Sequence, residues 1–155
     1  MAKLLIDVES DKINFKKVAK AVYKTLKQKA PLKAEVIFVS AEEIKKLNSE
    51  TRNVDAVTDV LSYPSLDGIC GKIIDKKEHL FELDGKRVFI GSIVLCEDRI
   101  KEQAKEIGHS EEDEMEYLVV HGLIHLFGYD HMTDEDKVLM RTQEKKALKL
   151  LGKGE

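Results

Sequence analysis

The run Leu4, Leu5 and Ile6 predicts a first strand over residues 3–8. The period then changes. Phe15, Val18, Ala19, Val22 and Leu26 recur at helical spacing, which predicts a helix over 13–30 with Pro31 as its stop. Val36, Ile37, Phe38 and Val39 mark a second strand over 34–39. Ser40 with Glu43 three residues on is capping-box chemistry, so a short helix runs to about residue 47. A third strand covers 57–63 and ends at Pro64. Residues 65–86 carry Gly68, Gly71 and Gly85 and read as a long loop containing a hairpin, with weak strands at 72–75 and 79–83. Arg87–Cys96 is a strong strand and Glu97–Ile107 a helix. Ser110 and Thr133 cap two further helices, to about residues 127 and 151, with Gly152 just past the second.

The order βαβαβ, a hairpin-like segment, a strand and three helices predicts an α+β fold of mixed α/β character, one small mixed sheet with helices packed on it. The 155 residues are expected to form a single domain, 1–155, long enough to enclose a core. With 43% apolar and 35% charged residues the composition is that of a globular protein, which excludes disordered and collagen-like classes. Cys70 and Cys96 form no C-x-x-C pair and read as buried or neutral thiols. No secretory leader and no apolar stretch of membrane-spanning length is recognisable, so a cytoplasmic location is expected.

Three of the five histidines lie within eleven residues, in His121-Gly-Leu-Ile-His125-Leu-Phe-Gly-Tyr-Asp-His131. Four helical residues turn about 400°, so His121 and His125 share a face one turn apart. Gly128 can end the helix and let His131 return toward them. Three imidazoles with one open position describe a catalytic zinc site better than a structural one, which closes with four protein ligands. The spacing equals that of the metzincin proteases, H-E-x-x-H-x-x-G-x-x-H, except that Gly122 stands where those enzymes carry their general base. Gly122 either leaves space beside the metal or packs closely against another element. Asp130 is either a hydrogen-bond acceptor for a ligand imidazole or a turn residue.

At these residues the chain resembles the YbeY family of bacterial endoribonucleases. The resemblance rests on the whole histidine motif, on Leu47-Asn48, Arg52 and Thr58-Asp-Val-Leu-Ser-Tyr-Pro64 (the family usually has Phe at Tyr63), and on Ile90-Gly-Ser-Ile-Val-Leu95. Ser92 replaces the Asp that the family typically shows there. The resemblance covers roughly residues 36–147. It implies a zinc-dependent endoribonuclease specific for single-stranded RNA, acting in 16S rRNA 3′-end maturation and ribosome quality control. Its partners would be rRNA precursors and the ribosome or its small subunit, with neither DNA nor membrane expected. It further implies one zinc ion on His121, His125 and His131, and makes Arg52 a catalytic residue. Without it, Arg52 reads as a solvated arginine after a short helix. Thr58, Asp59 and Ser62 either line the groove or satisfy a turn. His79 and His109 read as surface histidines. Another zinc hydrolase of peptidase type, and a non-enzymatic ribosome assembly factor with structural zinc, are the competing readings.

The net charge of −3 taken alone argues against a nucleic-acid partner. The distribution changes that picture. Residues 1–33 hold nine lysines against three acids, and Lys12, Lys16, Lys20, Lys24 and Lys27 fall at i, i+4 or i, i+3 steps. Such a stripe is either a solvated face or a track for a phosphate backbone. Residues 97–116 reverse the sign, with nine acids against three bases, and their acids suit a helix N-terminus.

Overall fold

The computed structural model describes residues 4–153. The sheet is built from β1 (Leu4–Asp7), β2 (Leu32–Val39), β3 (Val60–Pro64), β4 (Leu83–Asp84) and β5 (Arg87–Cys96). The helices are α1 (Phe15–Thr25), α2 (Ala41–Arg52), α3 (Glu97–Ile107), α4 (Glu111–Leu126) and α5 (Asp134–Leu150). Strand order is β1-β2-β5-β3, with β4 pairing β5 off that path. β1, β2 and β5 run parallel, and β3 and β4 lie antiparallel to β5. This is the expected mixed α+β architecture.

Alternation along β5 assigns the two faces. Ile93 and Leu95 enter the main core with α1, α4 and α5, while Val94 and Cys96 meet Ile44 of α2 on the opposite face. The main core is aliphatic, with Val18, Leu32, Ile90, Val119 and Leu123 fully buried. From Leu118 to Leu126, α4 is buried at every position except His121 and His125, so its two histidines sit on an otherwise apolar stretch.

The bounds of β5 and α3 match expectation, and Ser40, Ser110 and Thr133 cap their helices through side-chain acceptors. Three expectations are corrected. α1 stops at Thr25, well before Pro31, because Lys27 takes φ 56° and the Gln28 amide bonds back to the Tyr23 carbonyl. α2 runs on to Arg52 and ends at left-handed Asn53, which places Arg52 in its last turn. Residues 65–82 form no hairpin. Two single 3-10 turns, Lys76–Glu78 and Leu80–Glu82, replace it, and only Leu83–Asp84 pairs with the start of β5. The reason is that this loop satisfies its backbone on a side chain. Buried Gln28 donates to the Lys72 carbonyl at 2.9 Å and accepts the Ile74 amide at 2.9 Å.

Candidate active site

α4 presents His121 and His125 one turn apart. Phe127 caps the helix, and Gly128 at φ 97° turns the chain back. The turn brings the three rings together. His131 lies 6.0 Å from His121 and 6.3 Å from His125, centre to centre, with 16° between planes in both pairs.

The second nitrogen of two rings is committed. His121 Nδ1 lies 2.5 Å from Glu144 Oε2, and His125 Nδ1 lies 2.7 Å from the Tyr129 carbonyl oxygen. A carboxylate and a carbonyl only accept, so each Nδ1 carries the donated proton. Among the described residues neither Nε2 has a protein partner, and Nε2 is the donor a metal would take in this tautomer. Burial, ahead of all other influences, holds the His125 imidazole below the usual histidine range, which favours the neutral, ligating form.

The donor set therefore fits a zinc ion in its chemistry. Its spacing is open. Three imidazoles on one tetrahedral ion would have centres about 5 Å apart, and among the described residues no group of His, Cys, Asp or Glu is gathered tightly enough to hold an ion as it stands. The adjustment needed is about 1 Å, and His131, exposed on the segment after Gly128, is the ring with room to make it.

Glu144 is the residue that sequence reasoning missed. It is 4% exposed, and its other oxygen accepts the Tyr117 hydroxyl at 3.2 Å. Burial first, then the Glu144 charge, pushes the Tyr117 phenol up to about 12, so it stays a donor. Tyr117 also stacks on His121 at 6.1 Å. A signal existed: Met140, Glu144, Ala147 and Leu151 form the buried stripe of α5 and the residue after it, and a carboxylate within such a stripe demands a buried donor.

The remaining candidates separate. Asp130 Oδ1 accepts the backbone amide of His131 at 2.7 Å and is thus a turn residue. Gly122 packs on the sheet: a Cβ there would lie 2.9 Å from Ile93 Cδ1. Close packing, not space beside a metal, explains the glycine. Asp59 is tied to α3 by Gln103 at 2.7 Å, and Ser62 is buried with its carbonyl accepting Arg52 Nη2 at 2.5 Å. Arg52 is further held over the Tyr63 ring at 5.5 Å, and its charge reaches His125. It is an exposed guanidinium held in place by these two contacts. Ser92 donates to Glu35 of β2 at 3.0 Å, so a carboxylate still stands in that row of the sheet. Cys96 is buried and Cys70 exposed; desolvation and then Asp136 raise the Cys70 thiol, leaving it neutral. His79 pairs with Glu82 at 3.2 Å, and His109 is exposed beside Glu114.

The profile of the family described as Endoribonuclease YbeY matches residues 3–152. The chain belongs to the YbeY family. It is 46% identical over 126 residues to the Endoribonuclease YbeY of Clostridium botulinum strain Alaska E43, covering 78% of this chain and 76% of that one. It is 48% identical over 118 residues to that of Clostridium acetobutylicum (73% and 71% covered). With that of Lachnospira eligens it shares 41% over 135 residues (81% and 80%). The solution structure of TM1509 from Thermotoga maritima, 24% identical, shares the fold with a TM-score of 0.54 over 96% of this chain and 91% of that one. The match thus extends beyond the stretch in which the motifs lie, taking in β1, α1 and the end of α5. No described helix is long and apolar enough to cross a membrane.

Proposed function

We propose that this YbeY-family chain is a zinc-dependent endoribonuclease that cuts single-stranded RNA. Its principal substrate is precursor 16S rRNA at the small subunit, in 3′-end maturation and quality control in the cytoplasm. The observation that carries the zinc reading is the pair of committed Nδ1–H groups on His121 and His125, which leaves two Nε2 atoms for one ion. His131 is the third ligand. When bound, zinc supplies Lewis acidity toward water and phosphate oxygens.

The protein's own groups do the rest. Arg52, docked against Ser62 and Tyr63, donates from its remaining N–H groups to the phosphate oxygens that gain charge as the phosphodiester is cut. Glu144 keeps the His121 ring turned through its Nδ1, and the Tyr129 carbonyl does the same for His125. A peptidase of metzincin type finds no support, because Gly122 has no side chain to serve as its general base.

The deciding experiment is chelation followed by reloading with zinc, assayed on single-stranded RNA, duplex RNA and an unstructured peptide. Single-stranded RNA should be cut by the zinc-loaded protein alone. Peptide cleavage, or RNA cleavage indifferent to the chelator, would refute the reading. An Arg52→Ala variant should lose about tenfold in kcat/KM on RNA, the scale of one charge-assisted contact at a partly hydrated site. Zinc content should be unchanged.

A further inference from the structure

Among the described residues, two adjoining cavities are lined by lysine and by no acid. One is a groove of about 820 Å³ between β1 and α1, carrying Lys16, Lys20, Lys24, Lys27 and Lys29. The other, about 180 Å³, shares Lys27 and Gln28 with the first, adds Lys72 and Lys146, and reaches Phe127 and Tyr129 on either side of Gly128. In a chain with 29 acids against 26 bases, the absence of Asp and Glu from both linings is a segregation of charge. Among the described residues none of these seven lysines forms a salt bridge, whereas Lys12, at the start of the stripe, is consumed by Glu97 and Glu111.

The geometry points to these two cavities as one continuous track for single-stranded RNA, leading from the turn that holds His125 to the β1–α1 groove. The inference rests on the nuclease reading above. Three features favour RNA over an acidic protein segment. The helical row from Lys16 to Lys24 extends about 12 Å along α1 at 1.5 Å per residue, and Lys27 and Lys29 follow it beyond the helix end, enough for several nucleotides. The groove floor is apolar, with Leu5 40% exposed beside Ile6 and Tyr23, a surface on which bases can lie irrespective of sequence. The track also reaches Tyr129, whose carbonyl accepts from the His125 imidazole, so its end adjoins the turn of the histidine motif. Gln28 fixes the far wall through Lys72 and Ile74, so the connection between the cavities is built into the fold.

The test uses the full chain with Lys16, Lys20 and Lys24 all changed to Gln, and a fluorescent unstructured 20-nucleotide oligouridine. Binding is measured in chelator by anisotropy at several salt concentrations. The affinity should fall at least tenfold, and the plot of log K against log salt should become shallower by about 2, from about 0.7 per lost phosphate contact. With zinc, KM for the same RNA should rise in parallel while kcat holds. A Lys101→Gln/Lys105→Gln variant on α3 is the charge control and should bind as wild type. The track is overturned by an unchanged 20-mer affinity and salt slope, by an equal loss in the control, or by a loss confined to binding of polyglutamate. Failure of the nuclease reading looks different: wild type would bind the 20-mer and, zinc-loaded, leave it intact.

Discussion

Replacing Glu144 by Ala is expected to weaken zinc binding by about ten- to a hundredfold, the usual cost of losing the acceptor behind a ligating histidine. The carboxylate bridges two elements that meet only in the folded chain. It accepts His121 Nδ1–H with one oxygen and the Tyr117 hydroxyl with the other, almost out of contact with water. Without it the His121 ring is free to rotate and to change tautomer, and the half-buried Tyr117 hydroxyl loses its acceptor, a penalty of about 1 kcal/mol. The two losses separate by experiment. Tyr117→Phe removes the hydroxyl and keeps the His121 contact, so it should lower stability by about 1 kcal/mol and leave zinc affinity nearly unchanged. Glu144→Gln retains an oxygen acceptor and should fall between wild type and Ala. Zinc affinity is read by competition with a chromogenic chelator, independently of activity. If Tyr117→Phe weakens zinc as much as Glu144→Ala, the effect is loss of packing and not of orientation.

Glu144 also shows where reading residues in order reaches its limit. The motif histidines were legible because one helix turn and one glycine set their relation, and α4 and α5 were legible through Ser110 and Thr133, which bond three residues on. Each of these signals is local. Glu144 lies 23 residues from His121, and the two meet only because α5 packs on α4. Its place in the apolar stripe was visible, but its partner was not. The failed hairpin in residues 65–82 has the same origin. Gln28, 44 and 46 residues away in sequence, takes up the backbone groups of Lys72 and Ile74 that a hairpin would have paired. Gly122 carried two readings until Ile93 of β5 was in place beside it. The resemblance to YbeY suggested a role for Arg52 where the residues alone suggested a solvated side chain; the side chain is exposed, and its contacts to Ser62 and Tyr63 fix where the guanidinium sits.

The fold and the site depend most directly on one another at Gly128, where Ala should destabilise the protein by about 3 kcal/mol and strip the site of zinc. Two costs combine. At φ 97° an L side chain is strained by about 1–2 kcal/mol. A Cβ would also lie 2.8 Å from the Cys70 amide nitrogen and 3.1 Å from its Cα, and relieving such an overlap in a packed region costs about 1–3 kcal/mol. Gly108 provides the control. It ends α3 at φ 86°, and a Cβ there would meet nothing within 4 Å. Gly108→Ala should therefore show the backbone cost alone, about 1–2 kcal/mol, and leave zinc affinity intact. For a chain of this size 3 kcal/mol corresponds to a fall in Tm of about 6–12 °C. Because the overlap is with backbone atoms of Cys70, adding Cys70→Ala should not rescue Gly128→Ala; rescue would show that the contact is with the thiol. The loss of zinc follows from the same turn. The Tyr129 carbonyl that holds His125 and the return of His131 both begin at Gly128, so displacing the turn by even part of an ångström releases one of the proposed ligands from its acceptor and carries another away. A Gly128→Ala protein that melts like Gly108→Ala and binds zinc like wild type would show that the turn tolerates a side chain and that the histidines are positioned from elsewhere.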